Sequence, residues 1–294
     1  MYPFAPGART TPTNSNHITA PPLVLTIAGF DPSGGAGIVA DLKTFAAHNC
    51  YGAAAITALT VQNTQGVLAV HPVEASILGA SLEALADDLE LRAVKIGMLA
   101  NGANVRRVAG FLKERGALPS VLDPVVHATS GMALLDQEGL DFLREHLLRL
   151  ATVVTPNLAE AAALTGLKVE SIEEMKAAAR RLLELGARAV VVTGGHLDKA
   201  VDVFADSSTL ESFASDRVRP DHTHGTGCTF SSAMAANLAL GRTLPEAVVL
   251  AKAYVAESIR KAYAIGLGRL PLNHFYRAQE PSRSTEIRAG SPES

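Results

Sequence analysis

The stretch H-T-H-G-T-G-C-T-F-S, residues 222–231, places one of the chain's two cysteines directly after Gly-Thr-Gly and ahead of a run with helical periodicity. Glycines on both sides of Thr226 free the backbone to turn its N–H groups inward, and a helix starting there adds roughly half an elementary charge at its N-terminus. Gly225, Thr226 and Gly227 are therefore candidates for an anion hole around a transferring phosphoryl group. The same dipole would draw the pKa of Cys228 from about 8.5 toward neutrality. That makes Cys228 a candidate proton acceptor; a small buried hydrophobe is the other reading of a free cysteine. Cys50, in H-N-C-Y-G, has no glycine nest and reads as such filler. His222 and His224 could ligate a metal, but nothing nearby completes a site, so they read as loop histidines.

A second glycine-rich stretch is A-G-F-D-P-S-G-G-A-G, residues 28–37, where Gly34, Gly35 and Gly37 either make a tight turn or let the backbone approach a ligand closely. Gly35, Gly37 and Ala40 formally match the dinucleotide fingerprint. However, Asp31, Pro32 and Ser33 lengthen the turn, and Gln62 and Asn63 stand where an acidic residue should hold a ribose. G-I-V-A-D-L-K-T imitates a Walker A loop, yet Leu42 replaces its second glycine and belongs with Ile38 and Phe45 to an apolar helix face, so Lys43 is expected to point away. In T-P-N-L-A-E-A, Asn157 and Glu160 stand three apart at a helix start. They could order water around Mg²⁺ or form an ordinary capping box, and the spacing leaves both open. Asp123 in V-L-D-P-V ends a buried strand, where a carboxylate needs a partner.

The elements that must position these residues alternate along the chain. Strand patterns cover 23–29, 54–61, 93–99, 120–126, 151–157 and 188–195, and helical periodicity covers 78–89, 105–115, 140–150, 158–165 and 172–185. The strand runs are continuous in polarity, as in a parallel sheet buried on both faces. Residues 201–206 and 210–214, split by Ser-Ser-Thr, read as an antiparallel pair added late, and helices over 228–240 and from 244 to about 263 close the chain. The expectation is a three-layer α/β/α fold, mostly parallel, with ligands at the carboxyl ends of the strands. No internal repeat or interior linker stands out: residues 22–278 read as one domain between polar tails at 1–21 and 279–294.

With 48% hydrophobic and 19% charged residues and a net charge of -3, the chain offers no electrostatic reason to expect nucleic acid or an anionic membrane surface. A small-molecule partner is expected. The N-terminal stretch has no continuous apolar core of a secretory signal, and no run approaches the roughly 20 apolar residues of a membrane span. Two cysteines far apart suit a reducing cytoplasm.

Taken in order, A-G-F-D-P-S-G-G-A-G-I-V-A-D-L-K-T-F, A-L-T-V-Q-N-T-Q-G-V, K-I-G-M-L, V-L-D-P-V, T-P-N-L-A-E-A, T-G-G-H and H-G-T-G-C-T-F-S resemble the hydroxymethylpyrimidine/phosphomethylpyrimidine kinases of thiamine biosynthesis, within the ribokinase-like superfamily. The resemblance spans about residues 23–274. It implies ATP and Mg²⁺, about eight parallel strands with a small antiparallel addition, and a homodimer. Cys228 would take the proton of the substrate's hydroxymethyl oxygen while the N–H groups of Gly225, Thr226 and Gly227 hold the γ-phosphate. Gln62 would read the aminopyrimidine edge, completed by the Ala36 backbone and Met98, with Asp31 near the hydroxymethyl group. Thr193 and Gly195, with Thr226 and Gly227, would serve the nucleotide. Asn157 and Glu160 become the water shell of Mg²⁺, with Asp123 a second acidic contributor.

The chain departs from the family pattern at Phe30, Val39, Thr193, His127 and Thr129, and keeps only part of a C-terminal G-x-G-x-G-P in residues 266–271. These departures leave a pyridoxal kinase as the nearest rival reading, and a silent binder of a thiamine precursor as a rival of another class.

Overall fold

A computed structural model describes residues 19–128, 130–195, 200–215, 218–219 and 223–279. The expected tails fall mostly outside the described residues, as do Thr129, His196 of T-G-G-H, and His222. The first half of the chain runs β1 (Leu23–Phe30), α1 (Gly37–Ala47), β2 (Tyr51–Asn63), β3 (Gly66–Pro72), α2 (Ala75–Asp88), β4 (Leu91–Ile96), α3 (Gly102–Arg115) and β5 (Ser120–Leu122). Then come α4 (Gln137–Phe142), extended by a π turn (Leu143–Leu147) and a 3-10 turn (Leu148–Leu150), β6 (Val153–Val154), α5 (Leu158–Thr165), α6 (Ile172–Glu184) and β7 (Ala189–Gly194). β8 (Ala200–Asp206), β9 (Leu210–Ser215), β10 (Thr223–His224), α7 (Thr226–Ala239), α8 (Leu244–Arg260), β11 (Leu270–Pro271) and a 3-10 turn (Tyr276–Gln279) complete the order.

One nine-stranded sheet has the order β3-β2-β1-β4-β5-β6-β7-β8-β9. The six strands from β2 to β7 are parallel, and β3, β8 and β9 add antiparallel edges. The implied eight parallel strands are thus six, and one antiparallel edge, β3, was not foreseen. Its hairpin turns on Asn63, whose side-chain oxygen accepts the N–H groups of Gln65 and Gly66 at 2.8 and 3.3 Å.

The two-residue period of a strand separates the core cleanly. Leu25, Ile27, Val94, Ile96, Leu122, Val154, Val190 and Val192 point to one face, where α2, α3, α5 and α6 pack. Val24, Ala93, Val121, Val153, Ala189 and Val191 point to the other, against α1, α7 and α8. Cys50 is buried in this second cluster, as expected of filler, and burial pushes its thiol up to about 11. Because β2 and β4 lie on opposite sides of β1, the chain reverses direction there, and a crevice opens at the carboxyl ends of these strands.

Candidate functional site

The crevice is built by loops that need glycine. The chain leaving β1 folds back so that Phe30 bridges to Gly37 (φ +55°), and a Cβ on Gly37 would lie 2.2 Å from the carbonyl oxygen of Gly29. Gly225, at φ +83°, caps α7, and a Cβ there would lie 1.8 Å from the carbonyl oxygen of Gly35. The two glycine-rich stretches are thus one site, pressed backbone to backbone. Lys43 does not point away: its ammonium turns back and donates to the Gly34 carbonyl at 2.8 Å, bracing the loop from outside.

Asp31 anchors the interior of that loop. One carboxylate oxygen accepts the Ser33 N–H and O–H at 2.8 and 2.7 Å; the other accepts the Ala36 N–H at 2.9 Å and faces His224 Nε2 at 3.0 Å. Burial alone would raise its pKa, but the bonds from His224 and Ser33 outweigh it and hold the carboxyl below its usual range. Gln62 Nε2 stands 3.0 Å from the same His224 nitrogen. Met98 follows β4 at the floor, its carbonyl accepting the Thr57 hydroxyl at 2.6 Å; a Cβ on Gly29 would lie 2.8 Å from its sulfur. Asp31, Ala36, Gln62 and Met98, expected to meet a substrate, are therefore gathered around one crevice.

Beneath Cys228 lies a cluster foreseen only at Asp123. Lys95, fully buried on β4, donates to both oxygens of Asp41 at 3.0 Å and stands 3.8 Å from Asp123. Thr26 and Ser232 hydroxyls donate to Asp41 at 2.6 Å each, and the Ser231 hydroxyl to Asp123 at 3.2 Å. The Cys228 thiol lies within electrostatic reach of Lys95, Asp123 and Asp41.

This surrounding overturns the expected depressed thiol. The residue is only partly buried, yet desolvation pushes its thiol up to about 12; Lys95 pulls down, while Asp123 and Asp41 push up. A helix dipole of half a charge loses to burial beside two carboxylates. Iodoacetamide should accordingly alkylate Cys228 slowly in the ligand-free protein at neutral pH, with a rate still rising at about pH 10. A plateau near pH 7, read by mass spectrometry, would restore the thiolate.

Asn157 and Glu160 form the reciprocal capping box of α5: Glu160 N–H donates to the Asn157 side chain at 3.0 Å, and Asn157 N–H to Glu160 at 2.9 Å. Glu160 is buried, and desolvation together with the nearby Asp123 pushes it up to about 8. Asp123 is raised too, by burial, against the pull of Lys95. Among the described residues no three His, Cys, Asp or Glu side chains gather as a metal cluster. Thr193 forms an isolated bridge with Asn157, and Gly195, the turn residue just after β7, is exposed. The C-terminal glycines dock on the turn after Gln62, where Gly268 N–H donates to Thr64 Oγ1 at 3.1 Å and Arg269 N–H to the Thr64 carbonyl at 2.8 Å.

Sequence reasoning missed Lys95, Asp41 and His224. A signal existed for the first two: Lys95 interrupts an apolar strand, and Asp41 falls three residues after Ile38 and four before Phe45 on a buried helix face. His224 carried no such signal, because its partners are distant in sequence.

The model of the family described as "Phosphomethylpyrimidine kinase" matches residues 31–273, which contain the site residues from Asp31 to Cys228. This chain belongs to that family. A hydroxymethylpyrimidine/phosphomethylpyrimidine kinase of Rhizobium meliloti is 49% identical over 260 residues, 87% of this chain and 97% of the relative. Among solved structures, a phosphomethylpyrimidine kinase from Clostridium difficile 630 is 41% identical with a TM-score of 0.72, covering 81% of this chain and 99% of that one. An ADP complex of Bacillus subtilis pyridoxal kinase is 37% identical with a TM-score of 0.82, covering 88% and 99%. The fold is thus that of the phosphomethylpyrimidine kinase family and its pyridoxal kinase neighbours, and the chain is a kinase.

Proposed function

We propose that the chain transfers the γ-phosphoryl group of ATP to the hydroxymethyl oxygen of 4-amino-5-hydroxymethyl-2-methylpyrimidine, and then to the resulting monophosphate, in thiamine biosynthesis. The observation that carries this reading is the convergence of Gln62, Asp31 and Met98 with Gly225, Thr226, Gly227 and Cys228 in one crevice built by two interlocked glycine loops. Backbone N–H groups at the start of α7 bind phosphate oxygens, and Gln62 with the Ala36 backbone binds the ring. Cys228 is placed to take the alcohol's proton as the new phosphorus–oxygen bond forms and the bond to ADP breaks. Since its thiol is protonated in the ligand-free protein, that role begins in the loaded site, where Lys95 and the bound groups together set the field at the sulfur. Thr193 and Gly195 serve the nucleotide side.

The donor set suits a divalent cation. Two buried carboxyls, Asp123 and Glu160, lie close enough for the first to raise the second, and both hold protons above their ordinary range. In this reading Asp123 and Glu160 hold Mg²⁺ through water, with Asn157 ordering the same turn while its side-chain oxygen serves the cap; bound there, the ion neutralises phosphate charge.

Glu160 gives a pH test. Its folded pKa, about 8, lies above the ordinary 4.5, so its contribution to stability is whole below about 4.5 and is lost as pH rises through 8. Metal-free protein should lose Tm between about pH 4.5 and 8, and Glu160→Gln should flatten that slope. Equal slopes in both proteins would remove the carboxyl from the account.

Coupled ADP release decides the substrate. Turnover of the pyrimidine alcohol well above that of pyridoxal is expected; a preference for pyridoxal, the reading favoured by neighbours such as the Bacillus subtilis enzyme, would replace ours. Tight binding without ADP release would mark a silent binder. A second copy of the chain belongs to the same reading. The edge hairpin exposes Leu59, Val61 and Leu68, apolar side chains that a homodimer would cover. Among the described residues no helix is long and apolar enough to cross a membrane, and we place the enzyme in the cytoplasm.

A further inference from the structure

A shared hydroxyl hydrogen and a clash of two donors meet at the side chain of Gln62. The Thr60 hydroxyl, with a single hydrogen, stands 2.9 Å from the Phe30 carbonyl and 3.1 Å from Gln62 Oε1, both acceptors. His224 Nε2, with either one hydrogen or one lone pair, stands 3.0 Å from the Asp31 carboxylate and 3.0 Å from Gln62 Nε2. The carboxylate only accepts, so the ring nitrogen must donate, and a nitrogen that donates cannot accept from an amide N–H. One half-turn of the Gln62 amide, which exchanges two atoms of nearly equal size, removes the clash of donors at the ring nitrogen. Thr60 then donates to Phe30 and accepts from the Gln62 N–H, while the single Nε2–H of His224 is shared between Asp31 and the Gln62 oxygen.

We infer that His224, held by Asp31, is a specificity-determining residue that locks the Gln62 amide with its oxygen toward the imidazole and its NH₂ toward Thr60. The imidazole is itself fixed. It rides on β10, which pairs with β11 through His224 and Pro271, and it lies where a Cβ on Gly35 would come within 2.6 Å of its ring. The lock commits one N–H and one lone pair of the amide to the protein and leaves one of each, in fixed order, for a ligand. An aminopyrimidine edge offers a ring-nitrogen acceptor beside an amino donor, so it pairs with a locked amide in one sense only. The reverse sense would carry the neighbouring hydroxymethyl to the other side of the contact. Pyridoxal has no such acceptor–donor edge and gains nothing from the lock. The substrate half of this inference rests on the pyrimidine kinase reading.

Kinetics and NMR test it together. In His224→Leu, kcat/KM should fall on both substrates, since the variant also strips Asp31 of its partner, but the pyrimidine alcohol should lose at least about tenfold more than pyridoxal, because only the first substrate uses the amide's polarity. His224→Gln, which keeps an N–H donor, should recover part of the loss. Equal losses on both substrates, or none, would overturn the specificity role, and thermal melts of each variant identify a loss due to misfolding. The lock is read without turnover in the ¹⁵N-labelled full chain, with the Gln62 amide identified by its disappearance in Gln62→Glu. Its NH₂ protons should show cross-relaxation to the Thr60 methyl and none to the His224 ring, and the opposite pattern would overturn the inference. A wild type that prefers pyridoxal refutes the functional reading, and the NMR pattern still decides the lock.

Discussion

Cys228→Ala should lower kcat for the pyrimidine alcohol by about 10²- to 10⁴-fold, the range for loss of a positioned proton acceptor. Cys228 stands in the first turn of a helix whose N-terminal N–H groups form the phosphate cradle, with Lys95 and Asp123 close enough to act on its thiol. Alanine leaves that backbone in place, so KM for ATP should stay within about threefold. It also removes no large apolar contact, so the melting temperature should hold. Cys50→Ala is the control with the opposite signature: it truncates a buried side chain and should cost about 1 kcal/mol of stability while kcat is kept. Coupled ADP release and thermal melts on both variants check the pair. A Cys228→Ala enzyme with wild-type kcat would move the proton to another acceptor, with Asp31 next in line.

Lys95→Met should be the most damaging single change to the fold. Removing the ammonium leaves Asp41 and Asp123 buried without a cation, and breaking such a pair typically costs about 3–5 kcal/mol. Domains of this kind have only about 5–15 kcal/mol in total. The cluster joins β4 through Lys95 to α1 through Asp41, to the loop after β5 through Asp123, and to α7 through Ser231 and Ser232, so the loss spreads over the elements that carry the cradle. The sign with pH follows from the stranded carboxyls. Burial already raises Asp123 against the pull of Lys95, so in the variant its folded pKa lies further above the unfolded one, and stability is regained as pH falls and lost as it rises. Urea unfolding followed by circular dichroism should therefore show a wider gap from wild type at pH 8 than at pH 5. A gap independent of pH would mean that Lys95 acts through packing alone.

What could be read from the sequence divides along physical lines. The helix over 158–165 has the bounds expected of it, because the cap residues Asn157 and Glu160 and the terminal Gly166 are local signals. The antiparallel pair at 201–206 and 210–214 was equally legible from its turn. β3 was missed because its side chains alternate only weakly in burial and its turn was read as part of a motif. The crevice residues could be named, but not their couplings. That His224 joins Asp31 to Gln62, across 193 and 162 positions of sequence, depends on how the sheet folds up. The state of Cys228 was misjudged for a related reason: a helix start is visible in one dimension, whereas the two aspartates and the lysine around the sulfur come from three other elements.

The helix carrying the phosphate cradle is enclosed along most of its length, with ten of its fourteen residues buried. Its amide hydrogens should exchange with solvent only through global unfolding, making α7 one of the slowest segments in a deuterium-uptake experiment. Such a beam cannot swing to admit a ligand. A ligand therefore meets its phosphate-binding groups on a fixed anvil, set in place before anything binds.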